Sequence, residues 1–456
     1  MVSLRVSSYV ISIPLEGTND QYMLIHGYTG AIDIATKELV SALQENREFT
    51  EDNSPFGREM LDSLRQRGYI TDKSEEDEYA YTAHMADVLH RMRKALYKTF
   101  TWLITYNCNF RCPYCYEGDM SGNGENWSKK TFTKEMADRA FEAMLQIEPR
   151  RELHSKVITL YGGEPLLKEN KEIVSYIVHK GKELGYSFIA ITNGYDLDAY
   201  EDLISPDLIK KMQITIDGCK ERHDARRRHY LYGESFDRII ENISIALRKG
   251  VEVVVRVNTD RIVFNDLDGL KRYFDELGYS EHENFTLASS LLYEDIQTDS
   301  SIPNVGQFLR LHKTVDYKFE CQDFGLYHKL LDAISRNRYF SIKSVYCSAQ
   351  TGSYILDPCG DIYPCLETVG KKDLVLGRYL SNGIEWTPLA NKWHSRNISK
   401  SSKCRRCKYS FLCGGGCLGH KDSSYSFGET TCNGYAIALK YAANRAYHEF
   451  MKASHV

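Results

Sequence analysis

Three cysteines lie within eight residues of one another, at Cys108, Cys112 and Cys115, directly after the apolar-rich stretch 99–106. Thiolates are the soft ligands that iron–sulfur clusters select. Three thiolates leave one iron atom of a four-iron cluster without a protein ligand, so that atom can bind a second molecule. A structural zinc loop would need a fourth Cys or His at a paired spacing, and none lies near these three. The spacing therefore predicts a chemically active iron–sulfur cluster, with a zinc loop or buried thiols as the alternative.

Composition and charge restrict the class of protein further. The chain has 456 residues, 42% of them hydrophobic, which is enough for two or three domains with their own cores. Its net charge of -4 gives no reason to expect nucleic-acid binding, and we interpret the basic run 222–229 as a solvated loop. No segment has the pattern of a membrane span or a signal peptide, so we expect a cytoplasmic protein without a membrane partner. Because thiols stay reduced in that compartment, the 13 cysteines indicate metal ligation instead of disulfides.

The amino-terminal region alternates short strands and helices. Strands are predicted at 8–14, 22–26 and 30–33, and helices at 36–46 and 57–67. We expect a small winged-helix-like unit that contains no candidate catalytic cluster. Residues 74–78 are predicted to be a polar, acidic linker, and residues 80–97 a connecting helix.

From residue 99 the chain alternates apolar strands with helical segments, which is typical of an α/β protein with a parallel sheet. The predicted strands are 99–107, 156–161, 187–192, 211–217, 251–258 and 284–288, and the predicted helices are 134–146, 170–184, 206–210, 235–249 and 267–277. Six such units are too few for a closed eight-stranded barrel, and their number and order resemble the partial (β/α)6 TIM-like barrel of an enzyme family that also carries a three-cysteine loop after its first strand. Functional residues of barrels lie at the carboxyl ends of the strands.

Glycines and polar residues follow four of these strands, at those ends. Gly162, Gly163 and Glu164 follow the second strand. The glycines allow the backbone to approach a ligand closely, and the Glu164 carboxylate can accept a hydrogen bond from an ammonium group. The remaining candidates at strand ends, for which ordinary strand termini are the alternative, are Thr192, Asn193, Thr215, Asp217, Arg256 and Asn258.

The cysteine loop and these strand ends together resemble the radical S-adenosylmethionine (SAM) enzymes. In that family three cysteines at this spacing bind a 4Fe-4S cluster, and the open iron binds SAM. The resemblance implies that Glu164 holds the methionine amino group, that the other strand-end residues lie near the methionyl and ribose groups, and that Tyr114 packs near the adenine. It also implies that an electron from a flavodoxin or ferredoxin cleaves SAM to a 5'-deoxyadenosyl radical.

A second pattern of cysteines occupies the last third of the chain and resembles the SPASM extension of radical SAM enzymes, which binds two auxiliary 4Fe-4S clusters. A zinc ribbon at 404–417 is the alternative. The resemblance implies that the first auxiliary cluster is bound by Cys347, Cys365 and Cys417, and the second by Cys404, Cys407, Cys413 and Cys432. Cys359 lies in a predicted hairpin before Cys365, and we favour it as the fourth ligand of the first cluster. The alternative is that this cluster has an open iron.

These features predict an enzyme that crosslinks a ribosomally made precursor peptide through a thioether, carbon–carbon or ether bond. Sulfatase maturases of this group have an aspartate base directly after the last hairpin cysteine, where this chain has Leu366. The amino-terminal unit resembles leader-peptide recognition domains, which bind the leader as an added strand, and a structural cap is an equal alternative. The alternative functions are a sulfatase maturase that generates formylglycine and a non-catalytic iron–sulfur protein that transfers electrons or binds peptides.

The same features predict three domains and a connecting helix. We expect a leader-recognition unit at residues 1–75, a linker helix at 76–98, the radical SAM partial barrel at 99–315, and the SPASM domain at 316–456. No side chain is assigned here as the catalytic acid or base.

Overall fold

The computed structural model describes residues 3–46, 48–50, 52–115, 117, 129–292, 308–309, 320–321, 325–419 and 434–454. The chain divides into two compact units. The first contains Met1–Ala95, Asp323–Thr351 and Ser395–Val456, and the second contains Leu96–Gln322 and Gly352–His394. Residues of the predicted SPASM domain therefore occur in both units. The predicted functional division at residues 75, 98 and 315 stays a prediction.

The amino-terminal part of the first unit consists of two small antiparallel sheets and three helices. One sheet is a meander of β2, β3 and β4, and in the other β1 pairs with β5 and β6. The predicted strands and helices of this region are present with ends shifted by a few residues. The elements are β1 (Ser3–Val6), β2 (Val10–Pro14), β3 (Gln21–His26), β4 (Ile32–Thr36), α1 (Lys37–Glu45), β5 (Glu48–Thr50), α2 (Arg58–Arg67), β6 (Ile70–Thr71) and α3 (Glu75–Lys94).

The prediction of a linker at residues 74–78 is wrong, because helix α3 begins there. The Oγ of Ser74 accepts a hydrogen bond from the backbone N of Asp77 at 3.1 Å and caps the helix. Glu78 is fully buried, and its carboxylate accepts hydrogen bonds from Arg5 at 2.7 Å and Ser7 at 2.5 Å. The sequence pattern missed this burial because Arg5 lies 73 residues away along the chain.

We expect the variant Arg5→Met to lower the free energy of unfolding by about 3 kcal/mol, because it leaves the buried Glu78 carboxylate without its cation. Burial alone would raise the pKa of Glu78, but hydrogen bonds from Ser7, Ser8 and Arg5 hold it below its usual value. A lowered pKa stabilises the fold above about pH 4.5, and that contribution is lost as the pH falls further. Urea unfolding at pH 7 and pH 4 measures both effects. The exposed pair Lys37–Asp20 provides the control variant Lys37→Met, which should change stability little.

The carboxyl-terminal part of the first unit packs against its amino-terminal part. Tyr9, Tyr28 and Tyr79 pack in one buried cluster with Ile398 and Phe411. Residues 1–75 therefore share a hydrophobic core with residues near the end of the chain. The helices of this part are α10 (Leu326–Ser335), α12 (Ser402–Arg405), α13 (Ser410–Cys413) and α14 (Tyr435–Ser454).

The second unit contains a sheet in which β7 to β12 are parallel neighbours in chain order, as predicted. Large apolar side chains such as Trp102, Phe188 and Val255 form its core. The strands and helices are β7 (Lys98–Leu103), α4 (Lys134–Ile147), β8 (His154–Tyr161), α5 (Lys171–Glu183), β9 (Ser187–Thr192), β10 (Ile209–Thr215), α6 (Lys220–Arg226), α7 (Phe236–Arg248), β11 (Glu252–Thr259), α8 (Arg261–Phe264), α9 (Leu267–Glu276), β12 (Phe285–Leu291) and β13 (Glu320–Cys321). Every helix in the described ranges is too short or too polar to cross a membrane.

The sheet continues beyond β7 with strands from the predicted SPASM domain. Strand β14 pairs in parallel with β7, and β15, β16 and β17 follow in antiparallel order. The predicted hairpin turn is confirmed, since Gly360 follows Cys359 there with a φ of 89°. These elements are β14 (Ser353–Leu356), β15 (Asp361–Tyr363), β16 (Gly377–Arg378), β17 (Glu385–Trp386) and α11 (Pro388–His394).

Two sequence interpretations of the second unit are wrong. No helix forms over residues 206–210, because β10 already begins at Ile209. The basic run 222–229 is not a solvated loop: its first half belongs to α6, and His223, Arg227 and His229 are all buried. Charged and buried side chains alternate along this short helix. Its sequence therefore cannot be distinguished from that of a polar loop.

Candidate functional site

The loop with Cys108, Cys112 and Cys115 follows β7, at the carboxyl edge of the parallel strands. Cys108 and Cys112 are half-buried, and Cys115 is exposed. Within the loop, the backbone N of Phe110 donates to the Sγ of Cys108 at 3.4 Å. Burial raises the pKa of the Cys108 and Cys112 thiols, so iron binding must displace their protons.

The donor set of this loop fits a four-iron cluster. Across the described residues, no three His, Cys, Asp or Glu side chains could hold a single metal ion together. In a cubane cluster each thiolate binds a different iron atom, so three cysteines on one short loop need not converge on a single point.

Gly162 and Gly163 at the end of β8 lie against the backbone that leads into the cysteine loop. The N atoms of Gly163 and Glu164 donate to the carbonyls of Thr105 and Asn107, at 2.9 and 2.8 Å. A Cβ at either glycine would lie within 3.0 Å of the backbone atoms of this segment. The sequence analysis predicted that these glycines allow the backbone to approach a ligand closely. In the structure they lie in close contact with the backbone just before Cys108.

Glu164 is buried at the centre of a network of strand ends. Its carboxylate accepts hydrogen bonds from the backbone N of Leu166 at 2.9 Å, the Oγ1 of Thr192 at 2.6 Å and the backbone N of Asn193 at 2.6 Å. The Nδ2 of Asn193 in turn donates to Asn109 in the cysteine loop at 2.7 Å. Burial raises the pKa of Glu164 to about 7 in spite of these hydrogen bonds. A buried carboxylate of this kind is favourable for a cationic ligand group such as an ammonium.

Tyr114, Asp217 and Asn258 form a second network at the ends of β10 and β11. The Tyr114 hydroxyl donates to Asp217, and the Nδ2 of Asn258 donates to the Tyr114 oxygen at 3.3 Å. The Nε of Arg256 donates to the Oδ1 of Asn258 at 3.1 Å. The structure thus brings Tyr114, Asp217, Arg256 and Asn258 together, while Thr215 lies buried at the end of β10.

Arg226 and Arg227 are functional candidates that the sequence interpretation missed. The Nη1 of Arg227 donates to the Tyr114 hydroxyl at 2.7 Å, and the guanidinium of Arg226 lies 5.0 Å from the centre of the Tyr114 ring. Among the described residues, the Nε of Arg227 is buried without a hydrogen-bond partner. A buried cationic donor beside the cysteine loop fits a ligand with an anionic acceptor. The composition of the run 222–229 does not distinguish Arg227 from a surface arginine. Its role becomes visible only from the packing of α6 against Tyr114.

The predicted auxiliary cysteines lie in both units. Cys359 and Cys365 lie in the hairpin of the second unit, whereas Cys347 and Cys417 lie in the first. Cys404, Cys407 and Cys413 lie on or beside α12 and α13, and the backbone N of Cys407 donates to the Cys404 carbonyl at 3.1 Å. Cys432 lies outside the described residues. Both predicted ligand sets stay predictions.

A buried carboxylate organises the hairpin with Cys359. The Oδ1 of Asp357 accepts from the backbone N of Cys359 at 2.9 Å and of Asp361 at 2.7 Å. Its Oδ2 accepts from the Tyr106 hydroxyl at 2.7 Å, and Tyr106 lies two residues before Cys108. Burial raises the pKa of Asp357 to about 6. The sequence analysis did not single out Asp357 or Tyr106, since their pairing across 251 residues has no local pattern.

Comparisons with known proteins agree with this geometry. Residues 102–265 match the Radical SAM superfamily. The cysteine-type anaerobic sulfatase-maturating enzyme of Clostridium novyi is 23% identical over 366 residues, which cover 71% of this chain and 88% of that protein. The GTP 3',8-cyclase of Nautilia profundicola is 24% identical over 244 residues, which cover 53% of this chain and 69% of that protein.

Two solved structures share the fold. Native anSMEcpe with bound AdoMet superimposes with a TM-score of 0.57 and 18% identity, over 78% of this chain and 99% of its own. Streptococcus suis SuiB bound to precursor peptide SuiA superimposes with a TM-score of 0.52 and 13% identity, over 94% of this chain and 98% of its own. At these identities the likeness establishes the fold alone.

Proposed function

We propose that this chain, which is an enzyme of the radical SAM superfamily, modifies a ribosomally made precursor peptide by forming a crosslink within it. The observation that carries the radical chemistry of this proposal is the joining of the three-cysteine loop to the buried Glu164 through Asn109 and Asn193. That network unites a cluster-binding loop and an ammonium-binding carboxylate in one rigid site.

The residues present fit both implied groups. Cys108, Cys112 and Cys115 would hold the 4Fe-4S cluster, Glu164 the amino group of SAM, and the unpartnered Nε of Arg227 an acceptor atom of the ligand. When bound, the cluster and SAM supply a 5'-deoxyadenosyl radical that removes one hydrogen atom from the peptide.

The chain's own residues orient the ligand and limit the access of water. Thr192 and Asn193 fix both oxygens of Glu164, so that the carboxylate does not have to reorganise when the ligand binds. Arg227, Asn258 and Asp217 hold the Tyr114 hydroxyl and thereby fix the middle of the cysteine loop. Burial of these groups keeps the site at a low effective dielectric, which strengthens each interaction.

Two features support a peptide substrate. The alignment with SuiB, solved with its precursor peptide, covers 94% of this chain, whereas the alignment with anSMEcpe covers 78%. The meander at residues 10–36 offers β4 as an edge strand, with Ile34 exposed on it for an added peptide strand. We propose residues 1–75 as the leader-recognition unit and the carboxyl-terminal cysteines as ligands of two auxiliary 4Fe-4S clusters.

Each crosslink removes two hydrogens from the peptide. One would leave as a hydrogen atom and the second as a proton, and an auxiliary cluster, when bound, would supply the acceptor for the remaining electron. In this proposal Cys359 is the fourth ligand of the first auxiliary cluster, since Asp357 holds its backbone in the hairpin turn. A flavodoxin or ferredoxin is the proposed source of the initial electron.

Sulfatase maturation is the second candidate, because the relative from Clostridium novyi is a sulfatase-maturating enzyme. Leu366 argues against it, since maturases of that kind have an aspartate base after the hairpin cysteine. Leu366 packs beside the buried cluster of Leu103, Tyr363 and Val375, which is an apolar environment unsuited to a base.

Mass spectrometry of a reaction with the precursor peptide tests the proposal. Reconstituted protein, SAM and a reductant are incubated without oxygen with each short peptide encoded by the neighbouring genes. We expect 5'-deoxyadenosine and a peptide lighter by two hydrogens per crosslink, and no product from the Cys112→Ala variant. A sulfatase-derived peptide converted to formylglycine instead, with the precursor unchanged, would establish the second candidate.

A further inference from the structure

Three consecutive apolar side chains are exposed beside the cysteine loop. Tyr230, Leu231 and Tyr232 are 54%, 65% and 72% exposed, in the turn 228–233 between α6 and α7. Neighbouring exposed side chains of this size form a contiguous apolar patch, and such patches on protein surfaces mark sites of interaction. We call residues 228–233 the Tyr230 turn.

The Tyr230 turn is rigid although it is exposed. His229 and Gly233 exchange two backbone hydrogen bonds, both at 2.9 Å. The Nδ1 of the buried His229 accepts from the backbone N atoms of Leu231 and Tyr232, both at 3.1 Å. The His229 ring also stacks on Tyr230 and Tyr232, with ring centres 5.3 and 4.6 Å apart. A preformed surface of this kind loses little conformational entropy when a partner binds.

Backbone hydrogen bonds attach the Tyr230 turn directly to the cysteine loop. The N of Tyr230 donates to the Asn109 carbonyl at 2.9 Å, and the N of Arg111 donates to the Arg228 carbonyl at 3.0 Å. The guanidinium of Arg111 lies 4.8 Å from the centre of the Tyr230 ring. The exposed patch therefore adjoins the segment between Cys108 and Cys112.

Two exposed arginines lie beside the patch. Arg111 and Arg228 are both exposed, and Arg111 is held in place by hydrogen bonds to the Cys108 and Phe110 carbonyls at 2.7 Å. The neighbouring Glu234 forms an ion pair with Lys220 at 3.9 Å. The patch therefore has an apolar centre with arginines at its edge. Such a surface is complementary to a partner whose apolar contact residues are surrounded by acidic side chains.

We propose that the Tyr230 turn docks a small acidic flavin mononucleotide protein of the flavodoxin type, which delivers the electron to the cluster held by Cys108, Cys112 and Cys115. This inference rests on the proposed function. In the step, the anionic flavin hydroquinone loses one electron and becomes the neutral semiquinone, while the cluster goes from the 2+ to the 1+ state. In this complex the apolar edge of the flavin ring would pack against Leu231. The acidic side chains around the flavin would form ion pairs with Arg111 and Arg228.

The test measures binding and turnover separately, with the cluster-loaded full chain. The variants are Leu231→Ser with Tyr232→Ser, and Arg228→Glu, which leave the backbone hydrogen bonds of the turn in place. We expect a Kd for reduced flavodoxin at least tenfold weaker than that of the wild type. Flavodoxin-driven formation of 5'-deoxyadenosine should fall by a similar factor, whereas turnover with dithionite should stay unchanged. The control is Tyr97→Ser, since Tyr97 is 66% exposed just before β7, at the amino end of that strand.

Each other outcome is decisive. An unchanged Kd in both variants would overturn the docking site, as would a loss confined to ferredoxin-driven turnover. Equal losses with flavodoxin and dithionite would show that the turn shapes the cluster loop or the peptide site instead. If the wild type binds flavodoxin through the turn but forms no 5'-deoxyadenosine with either reductant, the proposed function fails while the docking site stands.

Discussion

Replacing Glu164 with Gln should weaken SAM binding by about 30- to 100-fold, which corresponds to about 2 to 3 kcal/mol for the loss of a buried charged hydrogen bond. The amide oxygen of Gln can still accept from Leu166 and Thr192, but its NH2 group faces the backbone N–H of Asn193, so that hydrogen bond is lost together with the negative charge. Calorimetric titration of the cluster-loaded protein with SAM measures the Kd. Iron content and the cluster absorbance spectrum should equal those of the wild type.

The pH dependence of the same Kd provides a second readout. Since burial raises the pKa of Glu164 to about 7, the free protein loses the charged form as the pH falls below that value. The methionine ammonium prefers the charged form, so SAM affinity should fall by up to about tenfold per pH unit below 7. The effect on unfolding has the opposite sign. A carboxyl group whose pKa is raised by folding destabilises the ligand-free fold above its unfolded pKa, and this cost shrinks as the pH falls towards 4.5.

The matched control for this position is Glu169→Gln, because Glu169 is exposed only five residues further along the same segment. We expect that variant to keep both the wild-type Kd and its pH dependence. A Kd for Glu164→Gln that equals the wild-type value at pH 8 would contradict the role of Glu164 as the ammonium acceptor.

The local chemistry of this site could be predicted from the sequence because its residues lie in short runs. The spacing of Cys108, Cys112 and Cys115 has a chemical meaning without knowledge of the fold. Glu164 follows a strand that carries the apolar residues Val157, Ile158 and Leu160, so its position at a sheet edge follows from the strand alone. The order of β7 to β12 could be predicted for the same reason, since each parallel strand lies next to its neighbour in sequence.

The features that could not be predicted depend on contacts between distant segments. Arg227 is buried because Tyr114, 113 residues earlier, supplies a partner for its guanidinium. Glu78 belongs to a helix instead of a linker because Arg5 and Ser7 satisfy its carboxylate. Strand β14 pairs with the outer edge of β7, which would otherwise be left unpaired. No local sequence pattern indicates which segment of the chain pairs with that edge. For Arg227 and Glu78 a charged residue was interpreted as solvated, since composition cannot reveal a buried partner.

The Gly163→Ala variant should lose the cluster altogether. A Cβ at Gly163 would lie 2.6 Å from the carbonyl oxygen of Tyr106 and nearer still to that of Asn107. Both contacts are with the backbone that enters the cysteine loop, so no side chain can rotate away to relieve them. The segment before Cys108 must therefore move, and the hydrogen bond from Glu164 to the Asn107 carbonyl breaks with it. We expect a fall in the free energy of unfolding of about 2 to 4 kcal/mol.

The functional loss in Gly163→Ala should exceed the loss of stability, because the displaced segment positions both the cluster cysteines and Glu164. Iron content should fall by one four-iron cluster per chain, and 5'-deoxyadenosine formation with dithionite should fall by more than about 100-fold, as for the loss of a group that positions the reaction. The control is Gly383→Ala, where the added Cβ has no atom within 4 Å, and it should keep full iron content and activity. Wild-type iron content in Gly163→Ala would mean that the cysteine loop tolerates displacement, and that the close packing of β8 against residues 105–107 serves the stability of the sheet alone.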